Sequence, residues 1–161
     1  MPTETRIGIP LSGGDSVSAV LLQADTAASE IDLLILAHGA GQDMDSDFMR
    51  SVAGHLVGPT LNVLRFNFQY MQAAADSGRR HAPDRAPKLE QCWREVADYA
   101  RQRFAPRRLL LGGKSMGGRM ATRIAADGYS CDGLILLGYP LHPPGKPDRL
   151  RAEHLAAINC P

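Results

Sequence analysis

Arg107-Arg108-Leu109-Leu110-Leu111-Gly112-Gly113-Lys114-Ser115-Met116-Gly117-Gly118-Arg119-Met120-Ala121 is the stretch on which the fold turns. Its first part, Arg107 to Leu111, reads as a short buried strand. Its last part continues into a helix with Met120, Ala121, Ile124 and Ala125 turned inward and Gly128 as the stop. Between them Gly113-Lys114-Ser115-Met116-Gly117 has the spacing G-x-S-x-G. That spacing is common by chance, so its position decides. A serine on a sharp strand-to-helix turn needs small residues two before and two after it, so that the backbones pass closely while Oγ stands clear. Gly113 and Gly117 supply that room, and the positive end of the helix dipole favours alkoxide character at Ser115. Ser115 is therefore the candidate nucleophile. A phosphate-loop reading of Gly112-Gly113-Lys114-Ser115 fails, because G-x-x-x-x-G-K-[ST] needs glycine where Arg108 stands.

Upstream, Leu33-Leu34-Ile35-Leu36-Ala37 is a continuous apolar run, as in a parallel strand buried on both faces, and it ends at His38-Gly39-Ala40-Gly41. A loop of this kind supplies one of the two backbone N–H donors that acyl transfer needs for its oxyanion, the other coming from the residue after the nucleophile. Met116 and Ala40 are the candidate donors, with Gly41 as the substitute for Ala40. His38 reads as a structural residue that holds the loop through a ring hydrogen bond. Thr5 to Leu11 and Val17 to Ala24, parted by Ser12-Gly13-Gly14-Asp15, predict an opening hairpin. Ser46 caps a helix with Phe48, Met49, Val52, Ala53 and Leu56 on one face, which Gly58-Pro59 ends, and Leu61 to Phe66 follows as a strand. Tyr70 to Pro87 reads as a long loop. Leu89, Cys92, Trp93, Val96, Ala100 and Phe104 then share one helical face, and Leu134 to Leu137 is one more strand. Strands alternating with helices predict a single three-layer α/β domain over 1–161 with a mostly parallel sheet of at least six strands. Leu109 to Leu111 is central in it, and the helices from Met116 and from Ser46 lie on opposite faces.

Composition narrows the function. The 161 residues carry 18 Lys+Arg against 17 Asp+Glu, a net charge of +1, so no global field favours nucleic acid or an acidic membrane surface. The longest apolar run is far short of the ~20 residues that span a bilayer. The start lacks a basic leader with an apolar stretch, which predicts a cytoplasmic protein. Three cysteines, Cys92, Cys131 and Cys160, stand in no paired spacing, so neither a zinc site nor a disulfide framework is expected, and no cofactor is implied. Arg79, Arg80, Arg85, Lys114 and Lys146 are basic loop residues that would meet an anionic substrate if their loops converge.

Several blocks, in order, resemble a family. They are His38-Gly39-Ala40-Gly41 with Met44-Asp45-Ser46-Asp47-Phe48-Met49, Arg65-Phe66-Asn67-Phe68, Pro83-Asp84-Arg85-Ala86-Pro87, Gly112 to Arg119, and Gly138-Tyr139-Pro140-Leu141-His142-Pro143-Pro144-Gly145-Lys146-Pro147. They look like those of the small, mostly bacterial α/β-hydrolases of dienelactone-hydrolase type, over about residue 30 to the C-terminus. The hydrolase-like domain of a subunit of an animal histone-acetyltransferase complex is similar to them. The resemblance implies the α/β-hydrolase fold and a Ser-His-Asp mechanism on a small-molecule ester, with Ser115 as nucleophile.

In such enzymes the acid and then the histidine follow the serine, on loops after later strands. The expectation is that the chain, ending at Asn159-Cys160-Pro161, stops where the next strand would begin. It would then lack the positions for both groups and leave Leu134 to Leu137 as an unpaired apolar edge through which copies pair. His142 lies just past that strand, either as a pocket residue or as a replacement base. With Gly41 and Lys114 it makes up the expected substrate pocket. Two functions remain open: a serine hydrolase of a carboxylic ester or lactone, of which the 161-residue chain alone is expected to show little or no turnover, and a non-catalytic interaction domain or inactive fragment on the same scaffold, without the acid and base.

Overall fold

Leucine-rich runs without polar interruption can be satisfied only between two covering layers, and here they receive them. The computed structural model describes residues 1–25 and 28–161. Its strands are β1 (Thr3–Pro10), β2 (Ser16–Gln23), β3 (Asp32–Ala37), β4 (Leu61–Phe66), β5 (Leu109–Lys114) and β6 (Gly133–Leu137). They form one sheet in the order β1-β2-β4-β3-β5-β6. The pairings β3–β4, β3–β5 and β5–β6 are parallel, while β1–β2 and β2–β4 are antiparallel. The helices are α1 (Asp47–Leu56), α2 (Gln69–Ser77), α3 (Ala86–Phe104) and α4 (Met116–Ala126), followed by a 3₁₀ turn at Glu153–Ala157.

The pleat sorts side chains into two cores. Leu33, Ile35, Leu64, Phe66, Leu109 and Leu111 pack with Trp93, Val96, Met120 and Ile124 of α3 and α4. Their neighbours Leu34, Leu36 and Val63 pack with Met49 and Ala53 of α1. The helices from Met116 and from Ser46 thus cover opposite faces. Ser46 does cap α1, its Oγ accepting from the Met49 N–H at 3.4 Å.

Four expectations need correction. The stretch from Tyr70 is not a loop throughout: α2 occupies Gln69–Ser77 and ends on Gly78 in the left-handed region, φ 66°. Its Ala73-Ala74-Ala75 run and that glycine are good helix signals, which a search for an apolar stripe passes over. The strand expected from Arg107 to Leu111 runs instead over Leu109–Lys114, because Gly112 and Gly113 continue its ladder to Ile135 and Leu136. β5 is also next to the outer strand rather than central, with β3 and β4 in the middle of the sheet. β6 is the outer strand, but it is not left wholly unpaired: the Leu134 N–H donates to the Pro161 carbonyl at 2.8 Å, and Leu136 is 39% exposed.

Ion pairs fix the ends of the sheet. Arg65, only 1% exposed, reaches Asp45 and Glu4, tying β4 to the segment after β3. At the opposite end of β3, Asp32 accepts from both Arg107 and Arg108 at 2.6–3.1 Å. Hydrogen bonds from those guanidinium groups hold its carboxyl well below the usual carboxylate range. Because the folded-state pKa is the depressed one, the stability Asp32 contributes is complete above about pH 5 and is lost as pH falls below about 4. Asp32→Asn is therefore expected to lower the thermal midpoint by a few degrees at pH 7. The difference from the parent should shrink toward pH 3, as read by circular dichroism melts across that range.

Candidate active site

β5 delivers Ser115 to the carboxyl end of the sheet, and α4 begins at the next residue. Ser115 has φ 51° and ψ −113°, one of two non-glycine residues with positive φ among those described. A serine does not adopt that backbone on its own account, so its surroundings must impose it. They do so through close packing. The Ser115 N–H donates to the Leu137 carbonyl at 3.0 Å, and its carbonyl accepts from the Arg119 N–H at 2.9 Å. A Cβ on Gly113 would strike the Ala37 carbonyl. One on Gly117 would lie 2.5 Å from the carbonyl oxygens of both Ala37 and His38. One on Gly118 would lie 2.6 Å from the Gly113 oxygen. From the other side, the Trp93 indole N–H donates to the Gly117 carbonyl at 3.0 Å, and Trp93 packs edge-on against Phe66. The turn is held by backbone contacts that only glycine permits.

The loop after β3 lies against this turn, and a Cβ on Gly39 would be 3.8 Å from that of Ser115. His38 is fully buried. Its Nε2 accepts from the Phe68 N–H at 3.1 Å, which assigns the ring proton to Nδ1, bonded to the Gly39 carbonyl at 2.6 Å. Burial lowers its pKa and keeps the ring neutral. With both nitrogens committed, His38 is a brace for the loop. Tyr70, from the unforeseen α2, adds a second brace by donating its hydroxyl to the Ala40 carbonyl at 3.0 Å, and Asn67 accepts from the Met44 N–H at 2.9 Å. Ala40 and Gly41 are left exposed at the tip, and among the described residues the N–H groups of Ala40, Gly41 and Met116 donate to no partner. An oxyanion forming beside Ser115 would find uncommitted donors there.

The remaining expected residues are placed unevenly. Lys114 flanks the serine, and its Nζ stands 4.4 Å from the centre of the Phe48 ring at the start of α1. His142 is exposed, with Nδ1 3.0 Å from the Pro143 carbonyl. Among the described residues Ser115 Oγ makes no hydrogen bond to a histidine. Arg79, Arg80, Arg85 and Lys146 are exposed. No group of three or more His, Cys, Asp or Glu side chains among the described residues is placed to hold a metal ion. Likewise, no helix there is long and apolar enough to cross a membrane.

A neighbouring cluster has no signature in the sequence. Arg119, one turn along α4 from Ser115, lines a recess of about 340 Å³ with Arg123, Arg151 and His154. Arg119 Nε is buried without a hydrogen-bond partner, and burial, then Arg151 and Arg123, lower its pKa. His154 Nε2 lies 2.8 Å from the Thr122 hydroxyl; burial first, then the two arginines on α4, push its pKa down. The four-residue spacing of Arg119 and Arg123 places them on one helical face, but nothing in the pattern brings residues 151 and 154 to them.

This geometry has counterparts among known proteins. A family model described as an alpha/beta hydrolase domain matches residues 30–161. Dienelactone hydrolase from Anabaena variabilis superposes with a TM-score of 0.75 at 20% identity, over 99% of this chain and 71% of that one. An a/b serine hydrolase without lid from Xanthomonas campestris gives 0.72 at 21% identity, over 92% and 67%. A cold-adapted esterase from an Arctic intertidal metagenomic library gives 0.65 at 17%, over 84% and 60%. At these identities the likeness is one of fold, and the chain spans about two thirds of its neighbours' lengths.

The glycine contacts make a sharp prediction because helix propensity opposes them. Gly→Ala within a helix ordinarily stabilises by up to about 1 kcal/mol. Gly117→Ala should instead cost about 2–3 kcal/mol, lowering the thermal midpoint by roughly 4–12 °C, since the new methyl meets two carbonyl oxygens. Gly41→Ala, with nothing within 4 Å of its Cβ, should leave the midpoint unchanged. Calorimetry on the two variants checks both.

Proposed function

The chain belongs to the alpha/beta hydrolase family, and on that premise we propose that it is a serine hydrolase acting on a small carboxylic ester or lactone through an acyl-enzyme on Ser115. The observation that carries the reading is the backbone of Ser115, held at positive φ on a turn cleared by Gly113 and Gly117. Strain of this kind at a half-buried hydroxyl is retained where it positions a reacting atom. Support for a lactone substrate comes from the Anabaena neighbour, a dienelactone hydrolase, and support for an ester from the Arctic esterase.

In this mechanism Ser115 Oγ attacks the carbonyl carbon, and the carbonyl electron pair moves onto oxygen, where the N–H groups of Met116 and of Ala40, or Gly41 in its stead, receive it. Collapse expels the alcohol, or opens the lactone ring, and leaves the acyl group on Ser115. Water then attacks the acyl-enzyme by the reverse route and frees the acid. Lys114 and Gly41 border the substrate, and His142 forms an outer wall. The proton of Ser115 needs an acceptor. His38 is excluded by its two hydrogen bonds, and among the described residues no other histidine touches the hydroxyl. In the 161-residue chain solvent water therefore takes that proton and returns one to the departing alkoxide, so turnover rests on the oxyanion donors and the α4 dipole. Absence of the base costs several orders of magnitude, while the donors alone retain roughly 10³-fold over water.

With a p-nitrophenyl ester at pH 7, the 161-residue chain is expected to release nitrophenol slowly, about 10³-fold above buffer. The backbone donors survive in Ser115→Ala, so part of that rate should persist there, while the acyl adduct on Ser115 that mass spectrometry finds in the quenched parent should be lost; His142→Ala should change the rate by less than a few-fold. Loss of turnover in His142→Ala would make His142 the base. No release above buffer, or release without an acyl adduct on Ser115, leaves the non-catalytic interaction domain as the reading.

A further inference from the structure

The three cysteines have no paired spacing, yet the fold brings two of them together. Cys131, in the turn between α4 and β6, and Cys160, after the 3₁₀ turn, have their Sγ atoms 3.7 Å apart, and both are free thiols. Each is held in place by its neighbours. Around Cys131, the Asp132 N–H donates to the Leu109 carbonyl at 2.8 Å, and the Asp132 carboxylate accepts from the Leu109 N–H at 2.7 Å. Arg101 donates to the Ser130 carbonyl on the other side. Beside Cys160, the Pro161 carbonyl accepts from the Leu134 N–H of β6. Both cysteines are half-buried and border a cavity of about 310 Å³ that Gly128, Tyr129, Ser130 and Asn159 help to line. A small oxidant can therefore reach them. Cys92 differs: it is 2% exposed inside the α3 core, and burial pushes its thiol up to about 12.

We propose that Cys131 and Cys160 are a reversible redox pair, whose disulfide fastens the C-terminal segment to the turn that leads into β6. The oxidant is a low-molecular-weight disulfide such as oxidised glutathione. One cysteine, as thiolate, attacks a glutathione sulfur and releases one reduced glutathione. The second cysteine, as thiolate, attacks the protein-bound sulfur of the mixed disulfide and releases the other. Two electrons pass from the protein thiols to glutathione, and the two thiol protons end on the released glutathione. Burial first, and then the hydrogen bond with Cys160, push Cys131 up to about 12, and either sulfur stands close enough to the other to make the resolving attack. The sulfurs approach by about 1.7 Å to reach a bond of ~2.0 Å. The closed loop contains β6 and the segment with Tyr139, His142 and Arg151, so oxidation would stiffen one wall beside Ser115. The thiol chemistry does not depend on the proposed hydrolase activity.

The test incubates the 161-residue chain with oxidised glutathione, followed by non-reducing peptide mapping, thiol titration in denaturant and thermal melts. The expected result is one intramolecular link between the peptides of Cys131 and Cys160, with one titratable thiol left, that of Cys92. The link should raise the melting midpoint by about 5–10 °C, and dithiothreitol should reverse the rise. Cys131→Ser should stop at a stable glutathione adduct on Cys160 and lose the midpoint shift. A link involving Cys92, a link between chains, or three free thiols after prolonged oxidation would each overturn the proposal. Because the mapping uses the unmodified chain, it remains decisive even where a variant folds poorly.

Discussion

The carbonyl oxygen of Ala37 is the point that the site is built around. It ends β3, and the first turn of α4 and the last residues of β5 press so closely on it that neither Gly113 nor Gly117 has room for a Cβ. This one approach sets the distance between β3 and β5 at their carboxyl ends and forces Ser115 into positive φ. It also places the loop from His38 to Gly41 beside the serine. Ladder hydrogen bonds on both sides of β5 and the Trp93–Gly117 bond keep the contact from relaxing. The local strain at Ser115 is therefore supported by the sheet, in the way that strained functional residues generally depend on surrounding structure.

The loop opposite the serine follows a different logic. Turn packing cannot hold an exposed tip, so polar groups beneath it do so: His38 with both ring nitrogens used, Tyr70 to the Ala40 carbonyl, Asn67 to the Met44 N–H, and Arg65 to Asp45. Each is a group whose burial unpaired would be unfavourable, so each adds specificity to one loop conformation. Their combined effect leaves unpartnered backbone donors at the exposed tip, while the His38 ring, the Tyr70 hydroxyl and the Asn67 side-chain oxygen below it are paired.

Much of this is legible in the sequence. The apolar run from Leu33 to Ala37 announces a doubly covered strand, the spacing from Leu89 to Phe104 announces α3, and Gly113 and Gly117 flank Ser115 as a close turn requires. What the sequence hides has physical reasons. α2 lacks an apolar stripe because it covers little of the core, with Tyr70 as its one buried residue. The far end of β5 is hard to see because glycine is a poor strand signal except where backbones must touch, which is the case at Gly112 and Gly113. The Arg119–Arg151 recess and the Cys131–Cys160 pair are meetings of residues about 30 positions apart. Periodicity reports which face a residue occupies and carries no information on which distant loop folds back on it.

The central claim is that the backbone at Ser115 presents a reactive hydroxyl, and it is tested most directly by mapping where a fluorophosphonate attaches. After prolonged incubation and proteolysis, mass spectrometry should find a single adduct on the peptide that carries Ser115. The adduct should be absent from Ser115→Ala and from protein unfolded before exposure. An adduct on another residue, or a folded sample that takes up no label, would contradict the account.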